Sequence, residues 1–311
     1  MEVIKFEEAS PLLINTCVTV GTFDGLHLGH GQILSILKQT AEKENLKSVV
    51  VTFRPHPRQV LFPQTRVNFV LSEKEKLLKF SQTGIDFLVI MPFSLEFASL
   101  TAKDFLTDIL VKKLGMKHLI KGFNNHFGKD RLSDIDKIKE IGLQYGFLAT
   151  QVGNLVLEGG VSASSTLVRK LLTDGSVDEA SKILGYDFFF TGKVVHGKHI
   201  GTSIGFPTAN ILIEDENKII PKSGVYASLT TINSVVYPVM LNIGHNPTVN
   251  GNLEKTFLEA HIIGFNSDIY GQEISLVLKQ RIRDEIKFPS LEDLKKRLND
   301  DKQTVIQIVM P

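Results

Sequence analysis

The chain has 311 residues, 42% of them hydrophobic and 22% charged, with a formal net charge of +1. That length favours two cores over one, and the balanced charge excludes a global field strong enough to draw the chain to nucleic acid or an anionic membrane. The single cysteine, Cys17, excludes an internal disulfide and suits a reducing compartment. The opening MEVIKFEEAS has no apolar signal-like core and no apolar run is long enough to span a bilayer, so a cytoplasmic location is expected.

In the first half, short apolar runs alternate with amphipathic segments. Thr16-Cys17-Val18-Thr19 reads as a strand, with Cys17 an inert core thiol, and Gln32 to Leu37 as part of a helix. Ser48 to Phe53 is a buried strand, and Ser72 with Glu75 forms a capping box that opens a helix through Phe80. Asp86 to Ile90 is strand-like, and Thr101 with Asp104 starts another helix. A short strand at His118 to Ile120, a helix over Asp134 to Tyr145 and a strand over Phe147 to Val152 complete the pattern. Such alternation implies a mostly parallel sheet with helices on its faces.

A last helical pair ends near Leu184, and beyond Asp187 the period changes. Strand-like runs follow closely at Phe188 to Val195, Gly224 to Thr231, Val235 to Ile243, Phe257 to Ile263 and Ile274 to Arg281. Turn signals at Ile232-Asn233-Ser234 and Asn250-Gly251-Asn252 separate some of them. This is the spacing of an antiparallel barrel or sandwich. One amphipathic helix, Leu291 to Gln307, closes the chain.

Chemistry concentrates in four places. The first is Val20-Gly21-Thr22-Phe23-Asp24-Gly25-Leu26-His27-Leu28-Gly29-His30, where a strand turns into a helix. Gly21, Gly25 and Gly29 let backbone approach a phosphate chain, and His27 and His30 can donate to its oxygens, particularly when protonated. A plain glycine turn, or a metal site with His56 as a further ligand, are the weaker readings. The second is Ser162-Ala163-Ser164-Ser165-Thr166-Leu167-Val168-Arg169, an ordinary N-cap by itself and an anion site if Arg169 joins it. The third runs from Gly192-Lys193-Val194-Val195-His196-Gly197-Lys198 to Thr208 and Asn210. It is either a phosphate-wrapping turn with oxygen ligands for Mg²⁺ or a solvated β-turn before a strand. The fourth is Glu259, two residues from His261 on one strand face: a general base or a solvent-facing carboxylate.

Taken together, HxGH and the late S-S-T-x-x-R resemble the nucleotidyltransferase superfamily. More narrowly, G-T-F-D-G-L-H-L-G-H is similar to the adenylyltransferase half of bifunctional prokaryotic riboflavin kinase/FAD synthetases. Thr52-Phe53-Arg54-Pro55-His56-Pro57 resembles that family's T-F-x-P-H-P, and Gly122-Phe123-Asn124-Asn125-His126-Phe127-Gly128 its G-x-D/N-x-x-F-G loop. Gly205-Phe206-Pro207-Thr208-Ala209-Asn210 resembles the riboflavin kinase signature. Gly224-Val225-Tyr226, Asn242 to Thr248, Leu258-Glu259-Ala260-His261, Asp268-Ile269-Tyr270-Gly271 and Arg283 to Phe288 follow in family order.

The resemblance implies an α/β plus all-β chain. A Rossmann-like nucleotidyltransferase domain with a parallel sheet would occupy residues 1–184, and a six-stranded antiparallel β-barrel with a closing helix residues 185–311. The first would transfer AMP from ATP to FMN, and the second would phosphorylate riboflavin. ATP contacts in the first would come from Gly21, Phe23, Asp24, Gly25, His27, His30, Ser164, Ser165, Thr166 and Arg169, with Asn124 on the flavin. In the second, Gly192, Lys193, His196, Gly197, Lys198, Thr208 and Asn210 would hold ATP, with Mg²⁺ on Thr208 and Asn210. Glu259 would be the base, and Arg283, Glu285 and Phe288 would meet the flavin. Riboflavin, FMN, FAD and ATP are then the ligands, and no nucleic acid, membrane or obligate protein partner is expected. Thr202, where the family has arginine, and Gly264, near its usual aspartate, depart from the pattern. Another adenylyltransferase would leave the second half unexplained, and a flavin-binding regulator would need one site to be degenerate.

Overall fold

A computed structural model describes residues 1–6, 15–196, 205–246 and 255–310. Contacts divide the chain into two compact units. One is Met1–Val67 with Lys76–Ser164, the other Asn68–Glu75 with Ser165–Pro311.

The first unit is built on a six-stranded sheet of β1 (Glu2–Lys5), β2 (Thr16–Val20), β3 (Lys47–Arg54), β4 (Phe87–Pro92), β5 (Met116–Gly122) and β6 (Leu148–Val152). Their order is β1-β4-β3-β2-β5-β6, and every pairing is parallel. β2 is buried at all five positions and β3 at five of its eight, the continuous burial that helices on both faces of a parallel sheet impose. On one face α1 (Leu28–Lys43) buries Leu34, Leu37 and Ala41. On the other, Val18, Val49, Val51 and Val89 pack with Phe105, Leu106 and Leu110.

Those last residues belong to the helix expected after Thr101. Its cap is as expected, with the Thr101 hydroxyl accepting from the Asp104 N–H. After one α turn, α5 (Ala102–Asp104), the helix widens to a π-helical stretch over Phe105–Val111. Short helices α2 (Pro57–Leu61) and α4 (Leu95–Ala98) occupy loops at strand ends, and α6 (Ile135–Tyr145) precedes β6. β1 was not expected from the sequence, since four residues carry too little alternation. Its parallel pairing with β4 creates it.

The second unit is a closed barrel of β7 (Phe189–Val195), β8 (Ala209–Leu212), β9 (Gly224–Ile232), β10 (Val235–Asn246), β11 (Lys255–Ile262) and β12 (Glu273–Arg283). The strands run β10-β11-β8-β7-β12-β9 around the barrel, all antiparallel. The turn expected at Ile232-Asn233-Ser234 joins β9 to β10 with Asn233 and Ser234 both left-handed, which matches the twist of a tight hairpin. The turn expected at Asn250-Gly251-Asn252 lies outside the described residues. The closing helix α9 (Leu291–Val309) starts at a Ser290 cap and sets Val305 against Val225, Ala227 and Met240.

Helices α7 (Ser165–Asp174) and α8 (Val177–Leu184) group with this barrel. The Lys222 N–H donates to Leu172 O, and the Phe188 N–H donates to the Ser181 hydroxyl.

The capping box expected at the start of α3 (Glu73–Ser81) is formed: the Ser72 N–H donates to Glu75, and the Glu75 N–H to the Ser72 hydroxyl. Glu75 does more than cap. Its carboxylate meets Lys218 Nζ at 2.6 Å, with both side chains essentially sealed from solvent, and accepts from the Thr191 N–H. Lys218 also donates to Val70 O and Phe189 O. These added hydrogen bonds are what makes a fully buried ion pair tolerable.

Candidate active sites

In a parallel sheet, ligands bind beyond the carboxyl ends of the strands. In the first unit the loop after β2 lies there, and it feeds directly into α1. The loop is tightly wound: Phe23, Gly25 and Leu26 all have positive φ. Holding two non-glycine residues in that region costs of order 1 kcal/mol or more each, which packing must offset. Phe23 is buried, with its ring 5.7 Å from that of Phe80 and 5.1 Å from that of His30. A β-carbon on Gly29 would lie 3.1 Å from the His27 ring, tighter than an ordinary contact, so the glycine eases the close approach of helix and ring.

The two imidazoles stack, centroids 3.7 Å apart. His27 is the N-cap residue of α1 yet makes no side-chain cap. Among the described residues, the buried Nδ1 atoms of both rings have no hydrogen-bond partner. Burial pushes the His27 pKa down to about 4. His30 is held well below the usual histidine range by burial first, then by the charges of His27 and Lys76. Near neutral pH both rings are therefore uncharged, and they can donate as neutral imidazoles.

This has a consequence for stability. An unfolded histidine takes up its proton near pH 6.5, whereas folded His27 does so only near 4. The unfolded state binds more protons between those values, so stability falls as pH drops through that window, by about 3 kcal/mol for His27 alone. Urea unfolding between pH 7 and pH 4 is expected to show this loss, and His27→Gln to flatten it. Equal slopes in both proteins would show that His27 is not buried as a neutral group.

Two groups complete the strand ends. Lys76, from α3, places its ammonium 2.7 Å from the Thr52 hydroxyl and within hydrogen-bond distance of Thr22 O. Sequence reading passed it over as one polar residue of an amphipathic helix. His56, considered as a metal ligand, instead caps α2 by accepting from the Arg58 N–H. Among the described residues, no group of three His, Cys, Asp or Glu side chains is placed to hold a metal.

Beside the loop lies a cavity of about 510 Å³ walled by Phe53, Phe93, Phe97, Phe105 and Phe127. Its size and aromatic lining suit a fused-ring ligand. Asn125 lines it and donates to Val20 O at 2.6 Å, while Asn124 is exposed and not part of the wall. The amide nominated from the sequence is thus the neighbour of the one at the cavity. Gly128 shapes the same loop; it is left-handed, and a β-carbon there would lie 2.1 Å from Ala102 N.

Of the late hydroxyl motif, Ser164 ends the first unit, while Ser165, Thr166 and Arg169 open α7 in the second. Arg169 Nε donates to Asn68 O.

In the barrel, register assembles the second site. Glu259 on β11 is the direct partner of Asn210 on β8 and of Asn242 on β10, so a carboxylate sits between two amides across three strands. His261, two residues on, shares that strand face and bonds Pro207 O through Nδ1 at 2.8 Å. It thereby anchors the segment carrying Thr208. Burial holds the His261 pKa down, so it is a neutral anchor. The Asn242 amide lies 3.5 Å from the Glu285 carboxylate.

Other nominated residues divide. Gly192 is a packing glycine, since a β-carbon would lie 2.5 Å from Ile211 Cγ2. Lys193 is exposed on β7, and His196 stacks on Tyr270 with centroids 3.9 Å apart. A cavity of about 250 Å³ adjoins, lined by Thr208, Ala209, Asp268 and Tyr270 among others. Gly197, Lys198 and Thr202 lie outside the described residues. Arg283 is engaged by Asp301 of α9 at 2.7 Å and lies 5.9 Å from the Phe288 ring centroid.

A family model described as FAD synthetase matches residues 10–167, and one described as riboflavin kinase matches residues 184–309. The bifunctional riboflavin kinase/FMN adenylyltransferase of Escherichia coli (strain K12) is 37% identical over 290 residues, 93% of this chain and 91% of that protein. The protein of the same description from Listeria monocytogenes is 33% identical over 294 residues, 93% and 91% of the two. The crystal structure of a macrolide-efflux protein from Streptococcus pneumoniae matches with a TM-score of 0.90 and 32% identity, over 97% of this chain and 98% of that one. Among the described residues here, no helix is long and apolar enough to cross a membrane.

Proposed function

From the premise that the chain belongs to the bifunctional riboflavin kinase/FMN adenylyltransferase family, we propose how its residues divide the work. The enzyme phosphorylates riboflavin to FMN and adenylylates FMN to FAD, with ATP as co-substrate of both steps. We assign the second step to residues 1–184 and the first to residues 185–311.

In the kinase step, Glu259 takes the proton of the terminal ribityl hydroxyl as its oxygen attacks the γ-phosphorus; the bond to the β-phosphate bridging oxygen breaks and ADP leaves. The observation that carries this assignment is the row Asn210, Glu259, Asn242, which sets the carboxylate between two neutral amides across three strands. Thr208 and Asn210 offer neutral oxygens close to that carboxylate, a donor set that fits Mg²⁺ whose shell is completed by phosphates. When bound, the ion supplies charge neutralisation on the transferring phosphoryl group. His196, Lys193 and the undescribed Gly197 and Lys198 are carried as ATP contacts on the family resemblance. Glu285 and Phe288 face the flavin, and Arg283 positions their segment through Asp301.

In the adenylyl step, an FMN phosphate oxygen attacks the α-phosphorus and pyrophosphate leaves, so no protein nucleophile is needed. His27 and His30 donate to the phosphate oxygens, together with the amide groups of the Gly21–Gly25 loop and the first turn of α1. Ser164, Ser165, Thr166 and Arg169 are carried as further phosphate contacts on the resemblance. Asp24 is carried as a nucleotide contact. The aromatic cavity holds the flavin ring, with Asn125 in place of Asn124 at its wall. A cytoplasmic location fits the buried Cys17 thiol, which burial pushes up to about 12 and so keeps unreactive.

Chromatographic separation of flavins after incubation with riboflavin, ATP and Mg²⁺ tests the reading. FMN and then FAD are expected, and a chelator should stop both. No FMN would sink the kinase assignment, and no FAD from supplied FMN would sink the other.

A further inference from the structure

FMN and riboflavin carry the same fused ring, so the aromatic wall of the first unit's cavity gives no basis for telling them apart. The adenylyl step nevertheless needs the phosphate, which is the attacking group, and the two flavins differ by that phosphate alone. His27 and His30 are neutral near neutral pH and offer hydrogen bonds without charge. A cation at the cavity would supply the discrimination.

Two cationic side chains line that cavity, Lys129 and Arg131, and both come from one turn. Phe127 and Leu132 exchange backbone hydrogen bonds of 3.0 and 2.9 Å, which close Gly128-Lys129-Asp130-Arg131 between them. The turn is tied to the start of α5: the Lys129 N–H donates to Leu100 O and the Ala102 N–H donates to the Asp130 carboxylate, both at 2.8 Å. The second of these bonds engages the one acid of the turn. Among the described residues, neither Lys129 nor Arg131 forms an ion pair with an acidic side chain, and both are exposed. Arg131 also has a positive φ of 53°. A non-glycine residue in that region carries strain that its surroundings must outweigh. The result is two charges on a backbone already fixed, which need not be ordered when an anion arrives. Gly21 and Thr22 line the same cavity, so a phosphate held there adjoins the histidine loop.

We propose that Lys129 and Arg131 are specificity-determining residues of the adenylyl step, taking the non-attacking oxygens of the FMN phosphate and so favouring FMN over riboflavin at this site. The Arg131 guanidinium can meet two oxygens at once, and the Lys129 ammonium adds a point charge. The proposal rests on the adenylyltransferase reading of the first unit and on the flavin ring occupying the aromatic cavity.

The test follows FAD formation from supplied FMN by the full chain, with lumiflavin as a competing inhibitor. Lumiflavin carries the ring without the ribityl chain or phosphate, so its inhibition constant reports the ring pocket alone. The double variant Lys129→Gln/Arg131→Gln is expected to raise the KM for FMN by about 50-fold. The KM for ATP, the lumiflavin inhibition constant and FMN formation from riboflavin should stay unchanged. Arg131→Lys, which keeps the charge, should lose less than Arg131→Gln. An unchanged KM for FMN in the double variant would overturn the proposal. So would a lumiflavin constant that rises in step with that KM, because the turn would then be shaping the ring pocket and not selecting the phosphate. A wild-type protein that makes no FAD from FMN overturns the adenylyltransferase reading itself, whereas an active wild type matched by the double variant overturns only the assignment of the two cations.

Discussion

Replacing Glu259 with Gln is expected to stop FMN formation while leaving FAD formation from supplied FMN untouched. The substitution keeps the size of the side chain, and its partners in register are the amides Asn210 and Asn242, so the strand pairing of β8, β11 and β10 should survive. What it removes is a proton acceptor. General-base catalysis typically contributes about 10²- to 10⁴-fold, so a fall of roughly 10³ in kcat for riboflavin phosphorylation is the expected size. A merely solvent-facing carboxylate, the bland reading of a strand position, would give no change. Glu259→Asp is an informative companion: it keeps the charge but withdraws it by one methylene, and should recover only part of the rate.

Replacing His30 with Ala is expected to do the reverse, so that FMN accumulates from riboflavin and FAD does not form. Loss of an aligned donor to a transition-state oxyanion costs about 3 kcal/mol, or roughly 150-fold in rate. The competing explanation is structural, because His30 also packs against Phe23 and stacks on His27. His30→Phe separates the two. It keeps an aromatic ring against both neighbours but has no donor, so it should be as inactive as His30→Ala while unfolding at a denaturant concentration closer to wild type. Restored FAD formation in His30→Phe would mean that the ring serves packing alone.

Each activity thus reports on the integrity of the chain when the other is lost. Within helix α3, Glu75 holds an ion pair sealed within the barrel unit, while the next residue, Lys76, donates to the Thr52 hydroxyl. Neither is visible in a helical wheel, which marks both only as polar.

Much of the architecture was legible because it follows from local rules. Continuous apolar runs bounded by amphipathic segments specified a mostly parallel sheet, and the close-set runs after Asp187 specified an antiparallel barrel or sandwich, which the closed strand order shows to be a barrel. Cap chemistry at Ser72 and Thr101 was legible for the same reason, since a cap is satisfied within four residues. The motif residues His27, His30, Thr208, Asn210 and Glu259 stood out by spacing and resemblance together.

The class of each half and the residues nominated for chemistry thus follow from local patterns along the chain. Tertiary structure alone decided three further matters. It decided protonation, because only packing around the stacked imidazoles removes the water that would stabilise their charged forms. It decided neighbours, because register sets Glu259 between Asn210 and Asn242, residues 49 and 17 positions away, and no local signal encodes a pairing at that separation. It also decided which of two adjacent loop amides reaches the cavity, Asn125 over Asn124, because the backbone path of the loop orients the side chains. In each case the deciding quantity is the three-dimensional surroundings of a side chain, which depend on segments distant in the chain.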